Sequence, residues 1–295
     1  SFLMISIIFI IVPRASVSIK RISEVLDTKL SILDPENPKR PKGKTKGLVE
    51  FKNVTFKYPD ADVPVLYNIS FTAKPGETTA IIGGTGSGKS TVVNLIPRFF
   101  DVTSGQLLID GINVKDMRQK DLRKRIGYIP QKGVLFSGTI ESNIKYGNHN
   151  ASNKEIERAA RISQSIEFIS KLEEKYNYSI AQGGTNVSGG QKQRLSIARA
   201  LLINPDIYIF DDSFSALDFK TSSELYRDLR KETKNATVII VAQRIGMTIN
   251  ADKVVVLDEG RVVGVGKHKE LLKTCKVYKE IALSQLSQEE LEENG

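Results

Sequence analysis

Residues 83–90 read GGTGSGKS, directly after the apolar run TTAII at 78–82 and directly before TVVNLI at 91–96. The spacing fits G-x-x-x-x-G-K-[ST], and a strand before it with a helix after it is the context a phosphate-binding loop requires. Gly83, Gly84, Gly86 and Gly88 allow consecutive backbone N–H groups to turn inward, with Thr85 and Ser87 between them. The helix N-terminus that follows adds its partial positive charge. At that helix start, Lys89 is expected to reach the β- and γ-phosphates, Ser90 to coordinate magnesium through its hydroxyl, and Thr91 to complete the cradle. A dinucleotide G-x-G-x-x-G reading fails, because counting from Gly84 the last glycine position is occupied by Lys89.

Such a loop needs an acidic residue at the end of a buried strand to hold the metal ion. The run IYIFDD at 207–212 supplies one. Asp211 is the expected partner of magnesium, and Asp212 stands one residue on, where a carboxylate can address an attacking water.

The remaining composition bounds the class. With 40% hydrophobic and 26% charged residues in 295, the chain is neither disordered nor collagen-like. A single cysteine, Cys275, excludes an internal disulfide and reads as an inert thiol in a reducing compartment. The net charge of +9, from 43 basic and 34 acidic residues, fits nucleic acid, anionic lipid or phosphorylated ligands without choosing among them. Lys39, Arg40, Lys42, Lys44 and Lys46 crowd a stretch shared with Pro35, Pro38 and Pro41, which reads as a solvated linker over 23–47.

Ahead of the linker, residues 2–12 (FLMISIIFIIV) are almost purely apolar but shorter than the roughly 20 residues a spanning helix needs. The chain begins at Ser1, with no basic residue before the run and no small-x-small site after it, so a signal peptide is disfavoured. The expectation is the end of a longer membrane helix over 1–22, the rival being an amphipathic helix of a soluble protein. Arg14, Lys20 and Arg21 follow at once, so everything downstream is expected to be cytoplasmic.

From residue 48 onward, short apolar runs alternate with turns and helical stretches. Val49, Phe51, Val54 and Phe56 suggest a first strand, and further strands are expected at 69–73, 78–82, 106–109, 127–129, 207–210, 237–241, 254–257 and 261–265. Helices are expected at 154–162, where Ser152 and Glu155 make a capping-box pattern, and at 221–231. This alternation implies an α/β sheet with a mostly helical insertion at about 132–202. The acidic residues 286–295 read as a frayed tail.

A second glycine cluster, VSGGQ at 187–191, runs into KQRLSIARAL, a turn feeding a helix whose positive end points back at the loop. Together with GGTGSGKS this resembles the nucleotide-binding domain of ABC transporters over residues 48–285. The resemblance implies a P-loop NTPase (RecA-like) core with an antiparallel β subdomain and a helical subdomain specific to the family. It also implies ATP and Mg2+ as ligands. Ser188, Gly189, Gly190 and Gln191 match the signature motif, Tyr58 in FKYP the aromatic residue that stacks on adenine, and SALD at 215–218 the loop that crosses the dimer interface. Gln131 in YIPQ matches the glutamine that links magnesium to the membrane domain. LFSGTIESNIKYG at 135–147 is similar to exporters, and VPRASVSIKRISEVLD at 12–27 resembles the segment joining an exporter's last membrane helix to its ATPase domain.

Two positions depart from the pattern. The family normally has a glutamate as general base where this chain has Asp212, and the switch histidine where it has Gln243 in VAQR. One methylene fewer withdraws the carboxylate by about 1.5 Å, and a positioned general base is worth about 10²–10⁴ in rate. Glutamine still hydrogen-bonds but carries neither proton nor positive charge. Gln182, where exporters commonly have a glutamate, is a third difference. A weakened catalytic half with an intact signature resembles the degenerate-site subunit of heterodimeric, multidrug-type bacterial ABC exporters.

That resemblance implies an ATPase at the cell membrane, weak alone, paired head to tail with a second exporter subunit. The rival is a non-hydrolysing regulatory module, against which SGGQ and SALD speak because both serve the opposite site. An ABC protein acting on ribosomes or DNA would need a second phosphate loop, so no nucleic-acid partner is expected.

Overall fold

The computed structural model describes residues 1–41 and 46–285. The expectations resting on Lys42 and Lys44 and on the 286–295 tail lie outside them. Two compact units emerge, Ser1–Leu33 and Asp34–Gly295.

The first unit is a helix over Phe2–Leu26, 25 residues with no buried side chain. The apolar run ends at Val12, yet the helix continues through Pro13 and the polar stretch beyond it. Ser18 takes part in that continuation, its hydroxyl donating to the Arg14 carbonyl at 3.0 Å. By length and composition the helix suffices to cross a membrane.

The second unit is built on a six-stranded sheet in the order Arg261–Gly266, Lys253–Asp258, Thr78–Gly83, Thr237–Val241, Ile207–Asp211, Ile126–Ile129. All neighbours pair in parallel except Arg261–Gly266, which is antiparallel at the edge. Covered on both faces, Ile207–Asp211 and Thr237–Val241 are buried at every position. Their alternate side chains feed different cores: Ile209 and Ile239 pack with Ile81, Val92 and Leu95, while Phe210 and Ile240 pack with Leu195 and Leu225. A third core joins Ala80 and Val254 to Leu271 and Tyr278.

A four-stranded antiparallel sheet, ordered Leu66–Ala73, Val49–Phe56, Ser104–Ile109, Ile112–Asn113, packs into the core that holds Ile81, Ile209 and Val92. The expected strands are present, several starting earlier than the sequence suggested; Leu66 pairs with Phe56, extending the strand expected at 69–73. The helix expected at 221–231 runs Phe219–Glu232, because the Asp218 carboxylate accepts from the Thr221 amide at 2.9 Å and so caps it two residues sooner. Ser152 and Glu155 cap Asn153–Ile162 reciprocally. The 132–202 stretch is mostly helical but also contains a short ladder, Gly138–Thr139 with Ser179–Ile180.

Part of the proline-rich stretch is tethered to the domain surface. Lys39 and Arg40 pair with Asp116 and Asp121, and Asp34 accepts from the Gln119 amide at 2.8 Å. Cys275 is a buried free thiol.

Candidate functional site

The site lies at the C-terminal ends of the central parallel strands, where this class of sheet places its ligands. Strand Thr78–Gly83 delivers the chain into the 83–88 loop, and helix Lys89–Leu95 starts from Gly88 in the left-handed region, φ +95°. Gly86 is likewise left-handed at φ +80°, and a side chain at Gly84 or Gly86 would meet nothing within 4 Å. Those backbone faces are therefore open to a ligand, while Gly83 is pressed against the Leu257 carbonyl and Ser87 Oγ.

Lys89 is buried, with Nζ donating to the Gly83 and Gly84 carbonyls at 2.9 and 2.7 Å. Burial lowers its pKa, opposed by the charges of Asp212 and Asp211. The Ser90 hydroxyl donates to Asp211 Oδ1 at 2.8 Å, which brings together two residues 121 positions apart. Tyr58, half-buried, packs edge-on to Phe56 and Phe100, and its hydroxyl lies 3.1 Å from Thr91 Oγ1.

Asp212 is buried and sits at φ +49° immediately after the strand end. Its Oδ2 accepts two amides, from Gln131 Nε2 at 3.0 Å and Gln243 Nε2 at 2.7 Å. Burial raises the Asp212 pKa above the ordinary carboxylate range, and the Gln131 hydrogen bond opposes the shift.

The 187–191 turn is built separately. Ser188 Oγ accepts from the Gln191 amide at 3.3 Å while Gln191 Oε1 accepts from the Ser188 amide at 2.9 Å, a capping box at the start of helix Gly189–Ile203. Ser188 and Gly189 are exposed, with Thr85 and Gly86 exposed in the other loop. Gln182 stands exposed in the turn that precedes the cluster.

The structure also brings in residues to which the sequence assigned no role. The Tyr128 hydroxyl is 2.8 Å from Asn94 Oδ1 and 3.1 Å from Asp211 Oδ2. Burial, reinforced by the Asp211 charge, pushes its pKa up, so it remains a hydroxyl donor. Ser213 and Gln193 donate to the carbonyls of Ile129 and Pro130, at 2.9 Å each, and so hold the chain entering Gln131. Tyr128 in YIPQ, Asn94 in TVVNLI and Gln193 in KQRLSIARAL all lie in or beside the motifs, but nothing in their spacing signalled these contacts, and Ser213 left no trace.

The residues present fit a magnesium nucleotide. Ser87 Oγ is buried in the loop without a hydrogen-bond partner among the described residues, and the hydroxyl–carboxylate pair Ser90 and Asp211 is a hard-oxygen donor set suited to Mg2+.

Fold and site define a P-loop NTPase. The family described as ABC transporter matches residues 66–215. The chain is 46% identical over 286 residues to an uncharacterised ABC transporter ATP-binding protein of Mycobacterium tuberculosis, covering 96% of this chain and 49% of that protein. It is 44% identical over 290 residues to the uncharacterised ABC transporter ATP-binding protein YfiB of Bacillus subtilis, covering 97% of this chain and 49% of that one. Among solved structures, a bacterial Atm1-family ABC exporter with ATP bound superimposes with a TM-score of 0.87 at 34% identity, over 94% of this chain and 48% of that chain. This chain belongs to the ABC transporter family and comprises its ATP-binding domain. It spans about half the length of the relatives it matches.

Proposed function

We propose that this chain is the ATP-binding part of an exporter subunit at the cell membrane, with its ATPase unit on the cytoplasmic side. It binds Mg-ATP in the 83–91 loop, hydrolyses it slowly, and lends its 187–191 turn to the ATP held by a second exporter subunit paired head to tail. The Phe2–Leu26 helix and the likeness to an ATP-bound exporter support the membrane setting. Phe219, 79% exposed beside SALD, supports a partner surface there.

One observation carries the impaired-site reading: Asp212 Oδ2 is engaged by two neutral amides at once. A general base must offer a free lone pair to the attacking water. Here Gln131 and Gln243 both hold Oδ2, leaving Oδ1 alone to face a water from a carboxylate whose orientation they fix, and neither can take up a proton or place a positive charge beside the γ-phosphate. In this reading Tyr58 stacks on adenine, the 83–88 amides cradle the β-phosphate, and Lys89 turns from the Gly83 and Gly84 carbonyls to the phosphate oxygens. When bound, Mg2+ neutralises charge on the β- and γ-phosphates, and Ser90, Asp211 and Gln131 are the side chains that would hold it.

The test restores the missing groups. Asp212→Glu with Gln243→His should raise steady-state ATP turnover by about 10-fold or more over wild type at equal protein concentration. Equal turnover would remove the impaired-site reading and leave a nucleotide-binding module whose rate is limited elsewhere.

A further inference from the structure

We infer that Gln285, at the end of the C-terminal helical segment, is a positioning residue for Gln243. Its side-chain amide holds the turn from which the Gln243 amide reaches Asp212. The inference rests on the proposed reading, which sets Gln243 beside the γ-phosphate and against Asp212.

Strand Thr237–Val241 makes its last ladder-like contact when the Ala242 amide donates to the Ile81 carbonyl at 2.9 Å. Beyond that point the chain leaves the sheet, and Gln243 and Ile245 need another partner to fix their direction. Gln285 supplies it on both sides: Oε1 accepts from the Ile245 amide at 2.9 Å and Nε2 donates to the Gln243 carbonyl at 2.8 Å. A primary amide pairing with the N–H of one residue and the C=O of the residue two before it copies what a neighbouring strand would offer. The side chain thus extends the sheet's constraint past Ala242 to Gln243, whose amide meets Asp212 Oδ2 at 2.7 Å.

Gln285 is itself held. Its amide donates to the Ala282 carbonyl at 3.1 Å, continuing helix Lys276–Leu283. That helix is anchored by Tyr278, fully buried, whose hydroxyl lies 2.8 Å from Thr248 Oγ1 and 2.7 Å from His268 Nδ1. Thr248 Oγ1 is also 2.8 Å from the Ile245 carbonyl, so the same helix grips the turn at a second point. Gln285, Gln243 and Asp212 together line a cavity of about 720 Å³, which leaves the Gln243 turn room to move once the clamp is lost.

The test uses the full chain with Gln285→Met, which keeps length and loses both hydrogen bonds, and Gln285→Glu, which keeps the acceptor for Ile245 but sets a carboxylate oxygen against the Gln243 carbonyl. Hydrogen exchange at the Ile245 amide should accelerate about 10-fold in Gln285→Met and less in Gln285→Glu. The Ala242 amide should keep its protection in both and serve as the folding control. The ratio of ATP to ADP affinity should fall in Gln285→Met as it does in Gln243→Ala, by about 3-fold or more, with no further fall in the double variant. Unchanged exchange at Ile245 overturns the inference. So does a ratio that falls in Gln243→Ala but not in Gln285→Met, or additive losses in the double variant. A ratio indifferent to Gln243→Ala instead overturns the reading of Gln243 on which the inference stands.

Discussion

At the scale of single residues, Lys89 shows two pH dependences of opposite sign. Burial lowers its pKa from 10.5, so over the alkaline range between its folded and ordinary values the unfolded chain holds a proton the native chain has released. Stability contributed by this group therefore rises with pH across that window. Nucleotide affinity should do the reverse, because phosphate oxygens favour the charged amine and raise its pKa again on binding. Calorimetric titration of ATP should give a flat affinity near neutrality that declines, by at most tenfold per pH unit, once pH passes the depressed Lys89 value. Lys89→Ala should bind weakly at every pH. A decline of the same shape in Lys89→Ala would assign the titration to another group.

At the scale of elements, the glycines of one loop divide their work between sheet and ligand. Gly83 pairs with Leu257 at the end of the central strand, and a side chain there would run into the Leu257 carbonyl and come within 2.7 Å of Ser87 Oγ. Gly83→Ala should cost about 1–3 kcal/mol by overpacking, or about 2–4 °C in thermal midpoint per kcal/mol. Gly84→Ala meets nothing within 4 Å, so it should keep the midpoint and lose ATP affinity by crowding the phosphate side. Equal midpoints for the two variants would contradict the division. Elements of this kind were largely legible, since unbroken runs such as 237–241 and alternating ones such as 49–56 record how many faces are covered. What escaped depends on pairing at a distance. No local pattern seats Lys253–Asp258 beside Thr78–Gly83, and two-residue strands such as Gly138–Thr139 are too short to show a period. The site divides the same way: Lys89, Ser90 and Asp211 belong to spaced motifs, whereas the Tyr128 and Gln285 contacts follow from register and from a helix packed 40 residues downstream of Ile245.

At the scale of the whole molecule, the proposed pairing predicts that one turn of this chain matters only to its partner. Ser188 caps helix Gly189–Ile203, a contact worth about 1 kcal/mol, so a bulky replacement would confuse lost stability with lost function. Aspartate is as good a cap as serine but brings a negative charge to the helix N-terminus. In the head-to-tail arrangement that charge would face the γ-phosphate bound by the other subunit. Ser188→Asp should therefore leave the thermal midpoint and the chain's own ATP affinity near wild type, while turnover of the assembled transporter falls about 100-fold, as when one transition-state donor is removed. Midpoint and affinity are read on the chain itself, turnover on the complex. If affinity and turnover fell together, the 187–191 turn would act on its own nucleotide. If turnover held, the turn would be a helix cap without a role across the interface. Only the split result fits a chain whose Asp212 carboxylate is engaged by two amides while its capping box faces outward intact.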